Sequence, residues 1–199
     1  MNEDYPDVYA IILAAGASRR LGTPKQLLDW RDSSLLEHCI QNAHSVLPER
    51  IIVVLGAYSQ EIQNSVNLNA VTKITNPDWQ EGIASSIRAG IQALPNTATA
   101  ALILLCDQPL INADHLKTLL TVWQNKQSTI VASQYPHSVG VPALFPSEYF
   151  LFLLTLKGDQ GAKSLLIKFA DKLLTISLPE AELDIDSVAD FDELIRRYP

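Results

Sequence analysis

Three stretches of this sequence bring small residues, cations and carboxylates together more densely than ordinary turns require. The first runs Leu13-Ala14-Ala15-Gly16-Ala17-Ser18-Arg19-Arg20-Leu21-Gly22-Thr23-Pro24-Lys25. Small residues let backbone amides approach a ligand closely, and amides in a turn form an anion-binding nest. Arg19, Arg20 and Lys25 supply charge for phosphate oxygens. The spacing is that of neither common phosphate loop. A P-loop needs its lysine directly after the second glycine, whereas Gly16 and Gly22 stand six apart with Lys25 three further on. The plainer reading is a glycine turn with a solvated basic face, in which Lys25 is an exposed side chain that carries no packing.

The second stretch is Cys106-Asp107-Gln108-Pro109, directly after an apolar run. A carboxylate at the end of a buried strand, stiffened by a proline two residues on, is placed to hold a metal. Mg²⁺ typically takes one or two carboxylates together with substrate phosphates. Taken alone, Asp107 is equally a turn aspartate. The third stretch, Asn76 to Ile87, opens a helix with Ser85 and Ser86 near its start. Free amides and the helix dipole favour anions there, although serine at that place is often only a cap. Asp184-Ile185-Asp186 follows a strand-like run. Carboxylates two apart on an extended segment face opposite sides, so one of the two can readily meet a metal. His38, His44, His115 and His137 lack metal spacing or a nucleophile partner and read as structural or surface residues.

These loops need a frame, and the hydrophobic pattern supplies one. Val8 to Ala15, Arg50 to Gly56, Val71 to Thr75, Ala98 to Cys106 and Thr129 to Ser133 read as strands. Between them lie helical stretches: Leu35 to Leu47 behind a Ser34/Glu37 capping box, Ser59 to Val66, Ile83 to Leu94, and Leu116 to Trp123. Further on, Phe145 to Leu156 and Ala162 to Leu174 read as helices, Leu174 to Leu178 as a strand and Phe191 to Arg197 as a closing helix. Alternating β and α units of this length imply one α/β domain, a mostly parallel sheet covered by helices on both faces. In such sheets ligands sit beyond the carboxyl ends of the strands, where the loops above begin.

Composition narrows the class. The chain has 199 residues, 47% hydrophobic and 19% charged, which fits a single well-cored domain. Fifteen basic against twenty-two acidic side chains leave a net charge of −7 with no basic tract. That argues against a nucleic-acid partner, because counterion release needs clustered lysine and arginine. Met1 to Asp7 is polar and acidic, unlike a signal peptide. The longest apolar run is too short to span a bilayer. Two cysteines, Cys39 and Cys106, form no disulfide framework and read as reduced thiols. A cytoplasmic protein with no membrane partner is expected.

Taken together, the loops resemble those of the nucleotidyltransferases of the molybdenum cofactor branch. Leu13 to Lys25 is similar to the family's small-residue loop with its serine, arginine, glycine and lysine. Asn76 to Ile87 resembles its N-P-x-W-x-x-G-x-x-S-S segment, and Asp107-Gln108-Pro109 its D-Q-P metal loop. Gly140-Val141-Pro142 and Gly158-Asp159-Gln160-Gly161-Ala162 resemble its G-x-P and G-D-x-G-A elements, and Asp184-Ile185-Asp186 its D-I-D. The order is kept from about residue 8 to 196.

The resemblance implies a three-layer, Rossmann-like domain of the nucleotide-diphospho-sugar transferase type. A nucleotide-binding half would span about 8–110 and an acceptor-binding half about 111–199. It implies Mg²⁺-dependent transfer of CMP from CTP to the phosphate of a molybdopterin-type cofactor, with pyrophosphate released and a molybdoenzyme as possible client. Leu13, Ala14, Ala15, Gly16, Ser18, Arg20, Lys25, Ser85 and Ser86 would bind nucleotide, with Arg20, Lys25 and Asp107 catalytic. Gln108, Gly140, Pro142, Gly158 and Asp159 would meet the acceptor, and Asp107 with Asp186 would hold the metal. The guanylyl-transferring branch carries L-A-G-G where this chain has Leu13-Ala14-Ala15-Gly16, which favours CTP. Ser187-Val188 departs from the usual Thr-Pro and makes Asp107 the primary ligand. Two alternatives stand beside this reading: transfer to a sugar phosphate or another small phosphorylated acceptor, and a non-catalytic carrier of the molybdenum cofactor.

Overall fold

An apolar strand without alternation must be covered on both faces, and β1 (Val8–Ala14) is such a strand, nearly all of it buried. The structure, a computed structural model, describes residue 5 and residues 7–198. After β1 come the short antiparallel pair β2 (Asp29–Trp30) and β3 (Ser33–Ser34) and then α1 (Leu35–Val46). The expected capping box is present, with Ser34 Oγ accepting from the Glu37 amide and Glu37 accepting from the Ser34 amide. The chain continues through β4 (Ile51–Leu55), α2 (Ser59–Ser65), β5 (Thr72–Thr75), α3 (Ile83–Gln92), β6 (Ala100–Leu105) and α4 (Ala113–Gln124). It closes with β7 (Ile130–Gln134), β8 (Val139–Pro146), α5 (Phe150–Leu153), α6 (Lys163–Lys168), β9 (Leu173–Ser177) and α7 (Val188–Arg197).

The main sheet has the order β5-β4-β1-β6-β8-β7-β9, and β8 alone runs against the rest. Alternate residues of β1 feed two cores. Val8, Ala10 and Ile12 pack with α1 and α4 on one face, while Ile11 and Leu13 pack with α3, α5 and α6 on the other. This is the expected three-layer α/β domain. A third, smaller cluster joins Trp30, Leu35, Ile185 and Leu194, which anchors the segment before α7 beneath the loop after β1.

Two expectations need correction. Phe145 to Leu156 is not one helix: the chain stays extended to Pro146, makes a tight turn over 147–149, and only Phe150–Leu153 is α-helical. Gly140 and Pro142 hid β8, since both discourage a central strand. The ladder accommodates them with a register shift. Ala132 pairs with Ala143 and Ser133 with Gly140, so Val141 and Pro142 stand outside the pairing, and Ser133 Oγ donates to the Pro142 carbonyl at 2.8 Å. The helix expected over Ala162 to Leu174 ends at Lys168, because Leu173 already pairs with Ile130 in the sheet. Among the described residues no helix is long and apolar enough to cross a membrane.

Candidate active site

The carboxyl ends of β1, β4 and β6 open on one side of the sheet. The loop leaving β1 is tied down at several points. The Ala15 carbonyl accepts from the Ala57 amide at 3.0 Å. Ser18, in left-handed conformation (φ 47°), offers its carbonyl to the Leu21 and Gly22 amides, and its hydroxyl accepts from the Lys25 amide at 3.0 Å. The chain is thereby turned back so that Lys25 enters the site.

Lys25 is not the exposed loop residue its surroundings in sequence suggest. Its side chain is only 14% exposed. Its Nζ pairs with Asp107, lies 3.1 Å from Asp186 Oδ1 and donates to the Ile185 carbonyl at 3.1 Å. Burial alone would lower the lysine pKa, but the charge of Asp107 and its hydrogen bond, with Asp186 adding, hold it above its ordinary value. Arg20, on the rim, pairs with the other oxygen of Asp186. The four residues Arg20, Lys25, Asp107 and Asp186 thus meet from opposite ends of the chain. The Ile185 amide, bonded to the Asp107 carbonyl at 3.0 Å, fixes the C-terminal segment there. Ser187 caps α7 in a reciprocal pair with Asp190, so the sequence departure after Asp186 leaves that helix start intact.

Asp186 faces the cations whereas Asp184 lines a neighbouring cavity, as alternation along an extended segment requires. Burial, followed by the charges of Asp107 and Asp186, raises the Asp184 carboxyl above its usual range. Cys106 is pushed up to about 12, mainly by burial and then by Asp107, so it is a protonated packing residue and no nucleophile.

The third loop wraps around Asn76. Its Oδ1 accepts from the Asp78 amide, and its Nδ2 donates to Ser85 Oγ at 2.8 Å and Ser86 Oγ at 3.1 Å. Ser85 also donates to the Gly82 carbonyl and sits behind the cleft, while Ser86 lines it. Gly82 has φ 123°, and a Cβ there would stand 2.4 Å from the Gly158 carbonyl oxygen and 2.5 Å from Asp159 Oδ1. Gly158 is held in turn. Its amide donates to Glu81, whose carboxylate is pulled down to about 2 by the paired Arg88 guanidinium and that amide. Gly82→Ala is expected to destabilise the fold by about 1–3 kcal/mol through backbone strain and contact. Urea denaturation would show this as a lower midpoint.

These elements bound a cleft of about 460 Å³ lined by Leu13, Ala14, Ala15, Gly16, Lys25, Ser86, Asp107 and Asp159. From this loop Ala17 and Arg19 also line it, whereas Ser18 is spent on the Lys25 amide and Arg20 reaches the site only through Asp186. A smaller, mainly apolar cavity of about 230 Å³ adjoins it, sharing Leu13, Ile83 and Leu105, and contains Gln108, Tyr135 and Gly140. Gln108 Nε2 donates to the Ala181 carbonyl at 2.6 Å and the Val141 carbonyl at 3.1 Å. Gly140 packs against the Tyr135 ring, Pro142 is buried inside β8, and Gly158 lies behind Gly82. An acidic hollow of about 500 Å³ beside α7, with Glu180, Glu182 and Glu193, lies away from the β1 loop and would repel a polyphosphate.

None of the four histidines lines the cleft; His115 caps α4 with Asn112, and His38 contacts Asn42. The sequence reading missed Gln26, Trp79 and Tyr135 at the site. A polar Gln26 amid leucines was the available signal.

Among the described residues no three His, Cys, Asp or Glu side chains form a metal cluster. Asp107 and Asp186 nevertheless converge on a single cationic group, and Asp107 Oδ1 is buried without a partner. Two hard carboxylates fit a hard divalent cation that completes its shell with phosphate and water. Cations, loop amides and this pair can hold and neutralise a polyphosphate.

Residues 10–173 match the family described as the MobA-like NTP transferase domain. The molybdenum cofactor cytidylyltransferase of Escherichia coli K12 is 26% identical over 189 residues, 94% of this chain and 95% of that protein. Nicotine blue oxidoreductase of Paenarthrobacter nicotinovorans is 36% identical over 118 residues, 59% of this chain and 57% of that one. The Rv0371c protein of Mycobacterium tuberculosis H37Rv, solved as a complex with manganese, superposes with a TM-score of 0.81 at 25% identity, covering 96% of this chain and 98% of its own. With the matched residues spanning most of the sheet and the whole β1 loop, this chain belongs to the MobA-like NTP transferase domain family and is a nucleotidyltransferase.

Proposed function

We propose that the protein transfers CMP from CTP to the phosphate of a molybdopterin-type cofactor and releases pyrophosphate. The observation that carries this reading is the convergence of Arg20, Lys25, Asp107 and Asp186 at a cleft floored by the Gly16 loop and opening onto an apolar cavity. An oxygen of the acceptor phosphate forms the new bond to the α-phosphorus as the bond to pyrophosphate breaks. A phosphate monoester is already ionised near neutral pH, so no general base is needed, in keeping with a cleft that holds no histidine. The step then rests on positioning and charge neutralisation. Lys25 and Arg20 bring fixed positive charge to the polyphosphate, the loop amides orient it, and Asp107 and Asp186 would hold Mg²⁺. That ion supplies Lewis-acid neutralisation of phosphate charge when bound.

On this reading residues 8–110 chiefly serve the nucleotide and 111–199 the acceptor, with Asp186 crossing to the phosphates and Ile83 and Ile87 crossing to the acceptor cavity. The apolar walls Ile83, Ile87 and Val139, with Gln108, Tyr135 and Asp184 as polar contacts, suit a flat ring bearing N–H donors better than a sugar rich in hydroxyls. The reaction belongs in the cytoplasm, with a molybdoenzyme as client; the unpaired thiols Cys39 and Cys106 accord with that compartment. The oxidoreductase relative suggests hydride transfer as a rival, which would consume a reduced nicotinamide and release no pyrophosphate. Acceptor-dependent pyrophosphate release from CTP separates the three readings, since a carrier or a hydride-transfer enzyme gives none.

Base choice follows from Ala15. Its methyl packs where Gly56 leaves room, and it lines the cleft. A methyl that glycine would omit favours the smaller pyrimidine, an effect of about 1–3 kcal/mol, or roughly ten- to two-hundredfold in kcat/KM. CTP should outcompete GTP, and Ala15→Gly should narrow the gap. Equimolar competition assays decide this, and preferential GTP use by the wild type would overturn it.

A further inference from the structure

Gln26 follows Lys25 directly, yet its side chain takes the opposite course and is fully buried, at 0% exposure. Its Nε2 donates to the Ala14 carbonyl at 2.8 Å and to the Gly16 carbonyl at 3.0 Å. Both amide protons are thus spent on one loop, while Oε1 is buried without a partner. The site therefore uses glutamine for its two donors. Between those carbonyls, the Ala15 carbonyl is held by the Ala57 amide. Three successive carbonyls are drawn into the protein.

A trans peptide points its N–H opposite to its C=O. Fixing the Ala14 and Gly16 carbonyls therefore aims the Ala15 and Ala17 amides away from Gln26. Both residues line the cleft, and neither amide has a protein acceptor among the described residues. We propose that Gln26 is a positioning residue that locks these two peptide planes and so sets the loop's grip on the phosphate chain of the nucleotide. The inference rests on the nucleotide-binding reading above. Lys25 supplies charge; Gln26 supplies direction.

Calorimetric titration of the full chain in Mg²⁺ buffer tests this, with CTP, inorganic tripolyphosphate and cytidine as probes. Gln26→Met keeps the length of the side chain and removes both donors. Its affinity for CTP and tripolyphosphate should fall about tenfold or more, with cytidine binding unchanged and with KM for CTP affected more than kcat. Gln26→Glu places an acceptor against two carbonyls, and its CTP affinity relative to wild type should recover as pH is lowered and the carboxyl regains a proton to donate. That second variant keeps the test open if Gln26→Met fails to fold. Wild-type affinity for tripolyphosphate in folded Gln26→Met, an equal loss for cytidine, or no pH-dependent recovery in Gln26→Glu would overturn the proposal. If the wild type itself binds neither CTP nor tripolyphosphate, the nucleotide-binding reading falls and takes this inference with it.

Discussion

Asp107→Asn should lower metal-dependent nucleotidyl transfer by about two to three orders of magnitude, the scale seen when one preorganised electrostatic partner of a transition state is removed. The substitution is nearly isosteric. The Asp107 backbone carbonyl still receives the Ile185 amide, and Lys25 keeps Asp186 and the Ile185 carbonyl, so the fold should survive. The loss should be visible as pyrophosphate release that no longer rises with Mg²⁺. Asp186→Asn should be milder, because that carboxylate is 39% exposed and shared between Arg20 and Lys25. A more severe defect in the Asp186 variant would exchange the two roles.

On the proposed reading the charge of Lys25 serves phosphates and not bases, so Lys25→Ala should reduce turnover by a similar factor with every nucleoside triphosphate. Unlike a surface lysine, it should also destabilise the protein. Removing one partner from a buried ion pair strands the other charge and costs about 3–5 kcal/mol. Lys25 and Asp107 are only 14% and 11% exposed, so a value near the lower end applies, or a melting temperature lower by roughly 6–12 °C for a chain of this size. Divalent cations should then stabilise the variant more than the wild type, because Asp107 loses its cation and Asp186 keeps only the exposed Arg20. Thermal melts with and without Mn²⁺, alongside turnover with four nucleotides, check both halves. Full activity at saturating nucleotide would remove Lys25 from phosphate binding.

What the residues revealed in advance follows from the range of the forces involved. Strands such as Val8–Ala14 and Ala100–Leu105 are legible because burial on both faces demands unbroken apolar runs. Local caps such as Ser34 with Glu37 are legible because the partners are three residues apart. β8 was not, because its identity depends on β6 and β7 pairing with it and on a register shift that absorbs Pro142. At the site, the types and order of Arg20, Lys25, Asp107 and Asp186 suggested a phosphate and metal chemistry, and the structure brings the four side chains together. Their mutual pairing did not show, since it joins positions 82, 161 and 166 residues apart. The same holds for Lys25, whose neighbours in sequence suggest solvent while its neighbours in space are two carboxylates. Gln26 escaped notice because a polar residue beside leucines hints at burial without showing which carbonyls it meets.

Nucleotidyl transfer itself is tested most directly by incubating the protein with Mg²⁺, a molybdopterin-type acceptor and CTP labelled at the α-phosphorus. The expected result is one pyrophosphate released for each label found on the acceptor, lost in Asp107→Asn. CTP binding with no pyrophosphate and no labelled acceptor would contradict it.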